Sequence, residues 1–141
     1  MERREFLKGS CSLCFAVAAG MVSMESLFSC TSTSIFKTVV DENKIAVPAS
    51  LFAQSNLQII RAKTLEYDIA LRKEPDGSYL ALLLRCTHAD NPLTSTGNGF
   101  TCNLHGSRFD EEGVVTKGPA EHPLKKFSSE IISENIIIHL S

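Results

Sequence analysis

Short apolar stretches that alternate with polar residues and end at turn signals fill the chain from about residue 39 to its end. This pattern is typical of a small all-β domain. It predicts strands over residues 57–61, 67–71 and 79–85, and a final strand pair built on residues 131–132 and 136–138. Residues 79–85 are apolar on both faces, so this strand is predicted to be central in its sheet.

Turn residues separate the predicted strands. Pro75 and Gly77 predict a turn over residues 74–77, and glycines predict two further turns at residues 97–99 and 111–113. Beyond the first thirty residues, no stretch shows a strong 3.6-residue period.

The first thirty residues follow a different pattern. Arg3, Arg4 and Lys8 make a basic start, and an uncharged run follows over residues 9–24. This is the layout of an export signal, and the run is shorter than the roughly 20 residues that a membrane span needs. The start Arg-Arg-Glu-Phe-Leu-Lys resembles the twin-arginine signal motif, which implies export of an already folded protein. The alternative is an amphipathic terminal helix packed on the domain.

The sequence Leu-Phe-Ser-Cys that ends at Cys30 resembles the lipobox of bacterial lipoproteins. The resemblance implies lipidation of Cys30 and attachment to a membrane surface. The alternative is an uncleaved N-terminal anchor. Cys11 and Cys14 lie inside the apolar run and are interpreted as small hydrophobic residues. The predicted organisation is a signal or anchor over residues 1–30, a tether over 31–40 and one domain over 41–141.

Composition narrows the function classes. The chain has 141 residues, of which 43% are hydrophobic and 21% charged, with a net charge of −2. These values are typical of one globular domain. Both signs of charge are scattered, without the basic stripe that nucleic-acid binding requires.

Two Cys/His pairs follow predicted strands directly. Cys86 and His88 are separated by one residue, Cys102 and His105 by two, and 13 residues lie between the pairs. Two loops at the end of a β-scaffold can bring four such side chains to one point. Thiolate and imidazole ligands of this kind suit a [2Fe–2S] cluster or zinc.

The order Cys-x-His then Cys-x-x-His resembles the Rieske family. Gly106 and Ser107 follow the second pair as in that family, and the segment over residues 118–124, with Pro119 and Pro123, is similar to its proline-containing loop. The resemblance covers about residues 45–140. It implies an all-β fold, a small antiparallel sandwich or incomplete barrel with a cluster-binding subdomain built from two loops.

The resemblance also implies one [2Fe–2S] cluster per chain. Cys86 and Cys102 would bind one iron, and His88 and His105 the other. Gly106, Ser107 and Pro119 would lie around them. A structural zinc domain is the alternative, although zinc sites usually pair Cys with Cys and His with His.

Departures from the family predict a midrange potential. Quinol-oxidising members have a disulfide between the loops, where this chain has Asn91 and Leu104, and a Tyr hydroxyl where it has Phe109. Ser107 is present, and its hydroxyl would donate to a bridging sulfur and favour the reduced state.

The implied function is one-electron transfer by an exported carrier or oxidoreductase subunit on the extracytoplasmic face of a bacterial membrane. Candidate partners are a quinol–cytochrome complex, a molybdenum-type oxidase or a cytochrome, and a separate oxygenase is the alternative acceptor. No self-contained catalytic site is predicted.

His122, His139 and the pair formed by Lys125 and Lys126 are interpreted as packing or surface residues. Since clusters are assembled in the cytoplasm, export of a folded protein agrees with the cluster motif.

Overall fold

The computed structural model describes residues 34–141. The twin-arginine motif, Cys11, Cys14 and Cys30 lie outside this range. The described part contains eleven strands and one short 3-10 helix over Ala49–Ala53. The strands are β1 (Ile35–Thr38), β2 (Lys44–Pro48), β3 (Leu57–Ala62), β4 (Ile69–Lys73), β5 (Tyr79–Leu83), β6 (Thr94–Ser95), β7 (Phe100–Thr101), β8 (Arg108–Phe109), β9 (Val115–Lys117), β10 (Lys126–Ile132) and β11 (Asn135–His139).

Seven strands form one large, nearly closed sheet in the order β1-β3-β4-β5-β10-β11-β2. All neighbours are antiparallel except β1 and β3, which run parallel. The strands β6 to β9 form a second, smaller antiparallel sheet. The predicted all-β fold with an incomplete barrel is confirmed.

β5 lies between β4 and β10, in the centre of the large sheet, as its apolar pattern predicts. Its two faces serve two different cores. Ala81 belongs to the core inside the barrel, whereas Leu82 packs into a second core beneath the small sheet. Because successive side chains of a strand point to opposite faces, a strand between two cores must be apolar at nearly every position.

The pairing of β2 with β11 contributes four side chains to the barrel core. Ile136 pairs with Val47 and Ile138 with Ile45, and all four side chains are fully buried. The predicted final strand pair is β10 and β11, joined in a tight antiparallel hairpin.

Several boundaries differ from the sequence prediction. The strand predicted over residues 79–85 ends two residues earlier, at Leu83. The strand predicted over residues 67–71 begins two residues later, at Ile69, because the chain bends at residues 66–67 and pairing with the neighbouring strands starts only at Ile69. Residues 35–38 lie in the predicted tether but form β1, paired along its length with β3. These four residues are therefore part of the sheet. No helix in the range 34–141 is long and apolar enough to cross a membrane.

Candidate metal centre

Two loops carry the predicted ligands, and both rest on the second core. Loop 1, residues 86–91, leaves the large sheet just after β5, and loop 2, residues 102–107, joins β7 to β8. The core beneath them contains both cysteines together with apolar side chains from both sheets. Loop 1 lies between β5 and β6 and loop 2 between β7 and β8, so strands hold both ends of each loop.

The two loops have the same backbone construction. In loop 1 the Cys86 N–H donates to the Asn91 carbonyl at 2.8 Å, and the Asp90 N–H donates back to the Cys86 carbonyl at 3.0 Å. In loop 2 the Cys102 N–H donates to the Ser107 carbonyl at 2.8 Å, and the Gly106 N–H donates to the Cys102 carbonyl at 2.9 Å. Each loop is thus a closed turn that begins at its cysteine.

The site has a buried sulfur side and an exposed imidazole side. Cys86 and Cys102 have no exposed surface, and both thiols are free of disulfide bonds. The rings of His88 and His105 are exposed, with centroids 5.1 Å apart and planes nearly perpendicular, at 85°. The structure therefore places the two imidazoles side by side, and it buries both thiols in the core beneath the same two loops.

The sulfur of Cys102 lies among hydrogen-bond donors. Burial tends to raise the pKa of this thiol, but the N–H groups of His105 and Leu104 and the Cys86 thiol donate to its sulfur. The balance leaves the pKa of Cys102 below its ordinary value. A thiolate is the form that binds a metal, so these donors favour ligation.

The proline-containing segment is attached to both loops. The Ala120 N–H donates to the buried Ser107 hydroxyl oxygen at 3.0 Å, which joins the segment to loop 2. The Thr87 hydroxyl donates to the His122 carbonyl at 2.7 Å, which joins it to loop 1. Since Ser107 accepts from Ala120, the proton of its own hydroxyl remains available to another acceptor.

The positions that depart from the family have other contacts. The Asn91 amide donates to the Ala89 carbonyl within loop 1 at 2.8 Å, and the Leu104 side chain is 61% exposed. Phe109 is only 2% exposed and packs in the same core cluster as both cysteines.

Surface contacts account for other polar residues that the sequence analysis set aside. His139 on β11 is bonded to Glu130 on β10 at 2.8 Å, and the Lys125 ammonium lies 4.8 Å from the Phe127 ring centroid. His122 is exposed.

Sequence reasoning missed two residues that contact loop 1 from outside, Tyr67 and Arg85, and their common partner within the loop, Asp90. The Tyr67 hydroxyl donates to the Asp90 carbonyl, and Arg85 forms an ion pair with the Asp90 carboxylate. The sequence gives no signal of the first contact, because 23 positions separate its partners and no periodic pattern connects them.

The donor set fits a two-iron cluster. Among residues 34–141, no group of three or more His, Cys, Asp or Glu side chains surrounds a single metal position. A Rieske cluster requires only two protein ligands on each iron, thiolates on one and imidazoles on the other. Two buried thiols and a pair of adjacent imidazoles match that requirement.

Comparison with known proteins agrees with the geometry. A family model described as the Rieske [2Fe-2S] domain matches residues 45–128. The Rieske subunit of the mitochondrial cytochrome b-c1 complex from Gallus gallus is 24% identical over 93 residues, which are 64% of this chain and 34% of the relative. Iron-sulfur subunit 3 of the cytochrome b6-f complex from Nostoc is 42% identical over 55 residues, covering 39% of this chain and 29% of that subunit.

Among solved structures, the cyanobacterial plasma membrane Rieske protein from Synechocystis has a TM-score of 0.55 at 24% identity. The match covers 67% of this chain and 97% of that one, and it shows a shared fold. The chain spans about a third of the length of the two curated relatives. With a family match over residues 45–128, the chain belongs to the Rieske [2Fe-2S] domain family, whose cofactor is a [2Fe–2S] cluster.

Proposed function

We propose that this domain holds one [2Fe–2S] cluster through Cys86, His88, Cys102 and His105 and transfers single electrons. The observation that carries the proposal is the pair of equivalent loops, which present two buried thiols and two adjacent exposed imidazoles. When bound, a cluster of this kind accepts and returns one electron at potentials of about −150 to +300 mV.

The residues divide this task between them. Cys86 and Cys102 provide thiolates on the side away from water, where the second core excludes solvent. His88 and His105 form the exposed edge of the site. An electron partner therefore docks on the imidazole side.

The surroundings support a potential in the middle of the Rieske range. The Ser107 hydroxyl has its oxygen fixed by Ala120 and its proton free to donate to a cluster sulfur, which favours the reduced form. Phe109 has no hydroxyl to offer a second such bond, and no disulfide can connect Asn91 to Leu104.

The expected partner is a membrane-bound redox complex. The two relatives are subunits of cytochrome b-c1 and cytochrome b6-f complexes, and the similar solved structure is a plasma membrane protein. These names favour a quinol–cytochrome complex over a molybdenum-type oxidase or a soluble cytochrome. Arg3 and Arg4 support export in the folded state, and Cys30 supports a lipid anchor on the extracytoplasmic face.

The four histidines of the chain provide a matched test of the ligand set. His88→Gln and His105→Gln remove a proposed ligand, whereas His122→Gln and His139→Gln make the same change outside the loops. Iron and acid-labile sulfide are measured per purified chain. The first two variants are expected to lose both, and the last two to keep about the wild-type amount. Full iron and sulfide in His88→Gln and His105→Gln would contradict the proposal.

A further inference from the structure

The two loops of the centre differ at one backbone position. In loop 2 the residue four positions after the cysteine is Gly106, with φ of +77°. The equivalent residue of loop 1 is Asp90, with φ of +52°. Glycine adopts this left-handed conformation freely, whereas an aspartate adopts it at a cost in energy. Loop 1 therefore needs support that loop 2 does not.

That support comes from outside the loop. The Tyr67 hydroxyl, in the connection between β3 and β4, donates to the Asp90 carbonyl at 2.5 Å. Two nitrogens of Arg85, Nε at 2.7 Å and Nη2 at 2.6 Å, converge on one carboxylate oxygen of Asp90. The Arg85 guanidinium also lies 5.9 Å from the centre of the Tyr67 ring. Tyr67 and Arg85 thus hold both the main chain and the side chain of Asp90.

The two contacts differ in strength. The Arg85 and Asp90 side chains are 47% and 64% exposed, and such ion pairs contribute little. The Tyr67 hydroxyl instead donates to the Asp90 carbonyl, which belongs to the peptide group between Asp90 and Asn91. The next carbonyl, that of Asn91, accepts the N–H of Cys86. The bond from Tyr67 acts directly on the turn that carries a ligand.

Tyr67 is itself fixed to the large sheet. The neighbouring residue, Asp68, forms a two-pronged ion pair with Arg61 of β3, and its carbonyl accepts the Leu84 N–H just after β5. The connection between β3 and β4 is therefore anchored to the large sheet, and it contacts loop 1 through the Tyr67 hydroxyl.

We propose that Tyr67 is a positioning residue for the cluster: it fixes loop 1 through the Asp90 carbonyl and thereby sets the place of His88 without a disulfide between the loops. This inference rests on the proposed function, since His88 must be a ligand for its position to affect the cluster.

The chain has two tyrosines, which gives a matched pair of variants. Tyr67→Phe removes the hydroxyl and keeps the ring. Tyr79→Phe makes the same change in the barrel core, where the ring packs edge-on against Phe52 at 5.0 Å. Three properties of the full-length protein are measured: iron release to a chelator well below the unfolding temperature, the pulsed EPR spectrum of the reduced cluster, and the unfolding temperature.

Tyr67→Phe is expected to release iron about five-fold faster than Tyr79→Phe. This factor corresponds to the loss of one hydrogen bond worth about 1 kcal/mol. In the EPR spectrum, the nitrogen coupling of one imidazole is expected to change and that of the other to stay, because Tyr67 contacts loop 1 alone. A simple loss of stability would lower the unfolding temperature and leave both couplings unchanged.

The outcomes separate the two proposals. Iron-loaded wild-type protein, with Tyr67→Phe equal to Tyr79→Phe in release rate and couplings, would overturn the positioning role and leave the proposed function standing. A fall in unfolding temperature without either cluster effect would also overturn it. Wild-type protein purified without iron would overturn both.

Discussion

At the scale of single residues, Ser107 joins the proline-containing segment to the cluster loops. Its hydroxyl has no exposed surface, and its oxygen accepts the Ala120 N–H at 3.0 Å. A buried hydroxyl in this position holds the segment and keeps its own proton available for a second hydrogen bond.

Ser107→Ala tests both roles. The Ala120 N–H would lose its partner in a buried place, which costs about 1–3 kcal/mol of unfolding free energy. Loss of a donor that favours the reduced form would lower the midpoint potential by about 40 mV per kcal/mol for a one-electron couple. Urea unfolding and a redox titration measure the two effects. Ser128→Ala, on the exposed face of β10, is the control. An unchanged potential would show that the hydroxyl does not donate to the cluster.

Phe109→Tyr adds a hydroxyl where quinol-oxidising relatives have one. The Phe109 ring is buried in the cluster of residues that contains both cysteines. The midpoint potential is expected to rise by about 40 mV, for a hydrogen bond of about 1 kcal/mol. A redox titration of both proteins measures the change. The absence of an upward shift would mean that position 109 does not reach the cluster sulfurs.

At the scale of elements, the hairpin of β6 and β7 fixes the start of loop 2. The Thr96 N–H donates to the Gly99 carbonyl across the turn, and β7 continues into Cys102. Gly99 has φ of +146°, and a Cβ at this position would clash with the Phe109 carbonyl oxygen of β8. The glycine therefore allows two strands of the small sheet to approach each other.

Gly99→Ala and Gly97→Ala separate this clash from the general cost of a side chain in a turn. Gly97 also has a positive φ, of +91°, but a Cβ there meets nothing within 4 Å. Gly97→Ala is expected to lower the unfolding free energy by about 1 kcal/mol, and Gly99→Ala by about 2 kcal/mol or more. Urea unfolding measures both. Equal losses of unfolding free energy in the two variants would mean that the close approach of Gly99 to β8 does not affect stability.

Much of the element plan was predictable from local patterns. The run of apolar residues after Gly77 predicted the central strand β5, because a strand between two cores must be apolar on both faces. The glycines at 97, 99 and 113 marked the turns. The parallel pairing of β1 with β3 was not predictable, since β1 has only four residues and each of them precedes its partner by 24 positions.

The residues of the candidate site could be proposed from the sequence, whereas their geometry could not. Cys86, His88, Cys102 and His105 stood out by residue type and spacing. That the cysteines are buried while the histidines are exposed depends on how the loops sit on the second core, which only the folded chain determines. The contact of Tyr67 with Asp90 is likewise a product of tertiary structure, because neither residue belongs to a recognisable motif.

At the scale of the whole molecule, the domain separates stability from function. The barrel core is formed by the large sheet, and the candidate metal centre lies on a second core shared with the small sheet. The site can therefore vary in its loops while the barrel keeps the fold.

Export adds a prediction about where the protein acts. Replacing Arg3 and Arg4 together by lysine keeps the charge and removes the twin-arginine motif. The variant is expected to stay in the cytoplasm with its cluster, as measured by cell fractionation and immunoblotting. Replacing Lys8 by arginine is the control. Normal export of the double variant would contradict the proposed route.

Cys30→Ser tests the lipid anchor separately from export. The exported protein is expected to move from the membrane pellet to the soluble fraction of the envelope, because the proposed lipid on Cys30 would be its attachment. Cys14→Ser is the matched control. A variant that stays in the pellet would favour an uncleaved N-terminal anchor.

The most direct test of the central claim is an EPR spectrum of the dithionite-reduced, full-length protein, recorded with its iron and acid-labile sulfide content. Two irons and two sulfides per chain are expected, with an average g value clearly below that of all-cysteine [2Fe–2S] proteins. This signal requires imidazole ligation. A protein without that signal, carrying zinc bound in cells, would contradict the electron-transfer function.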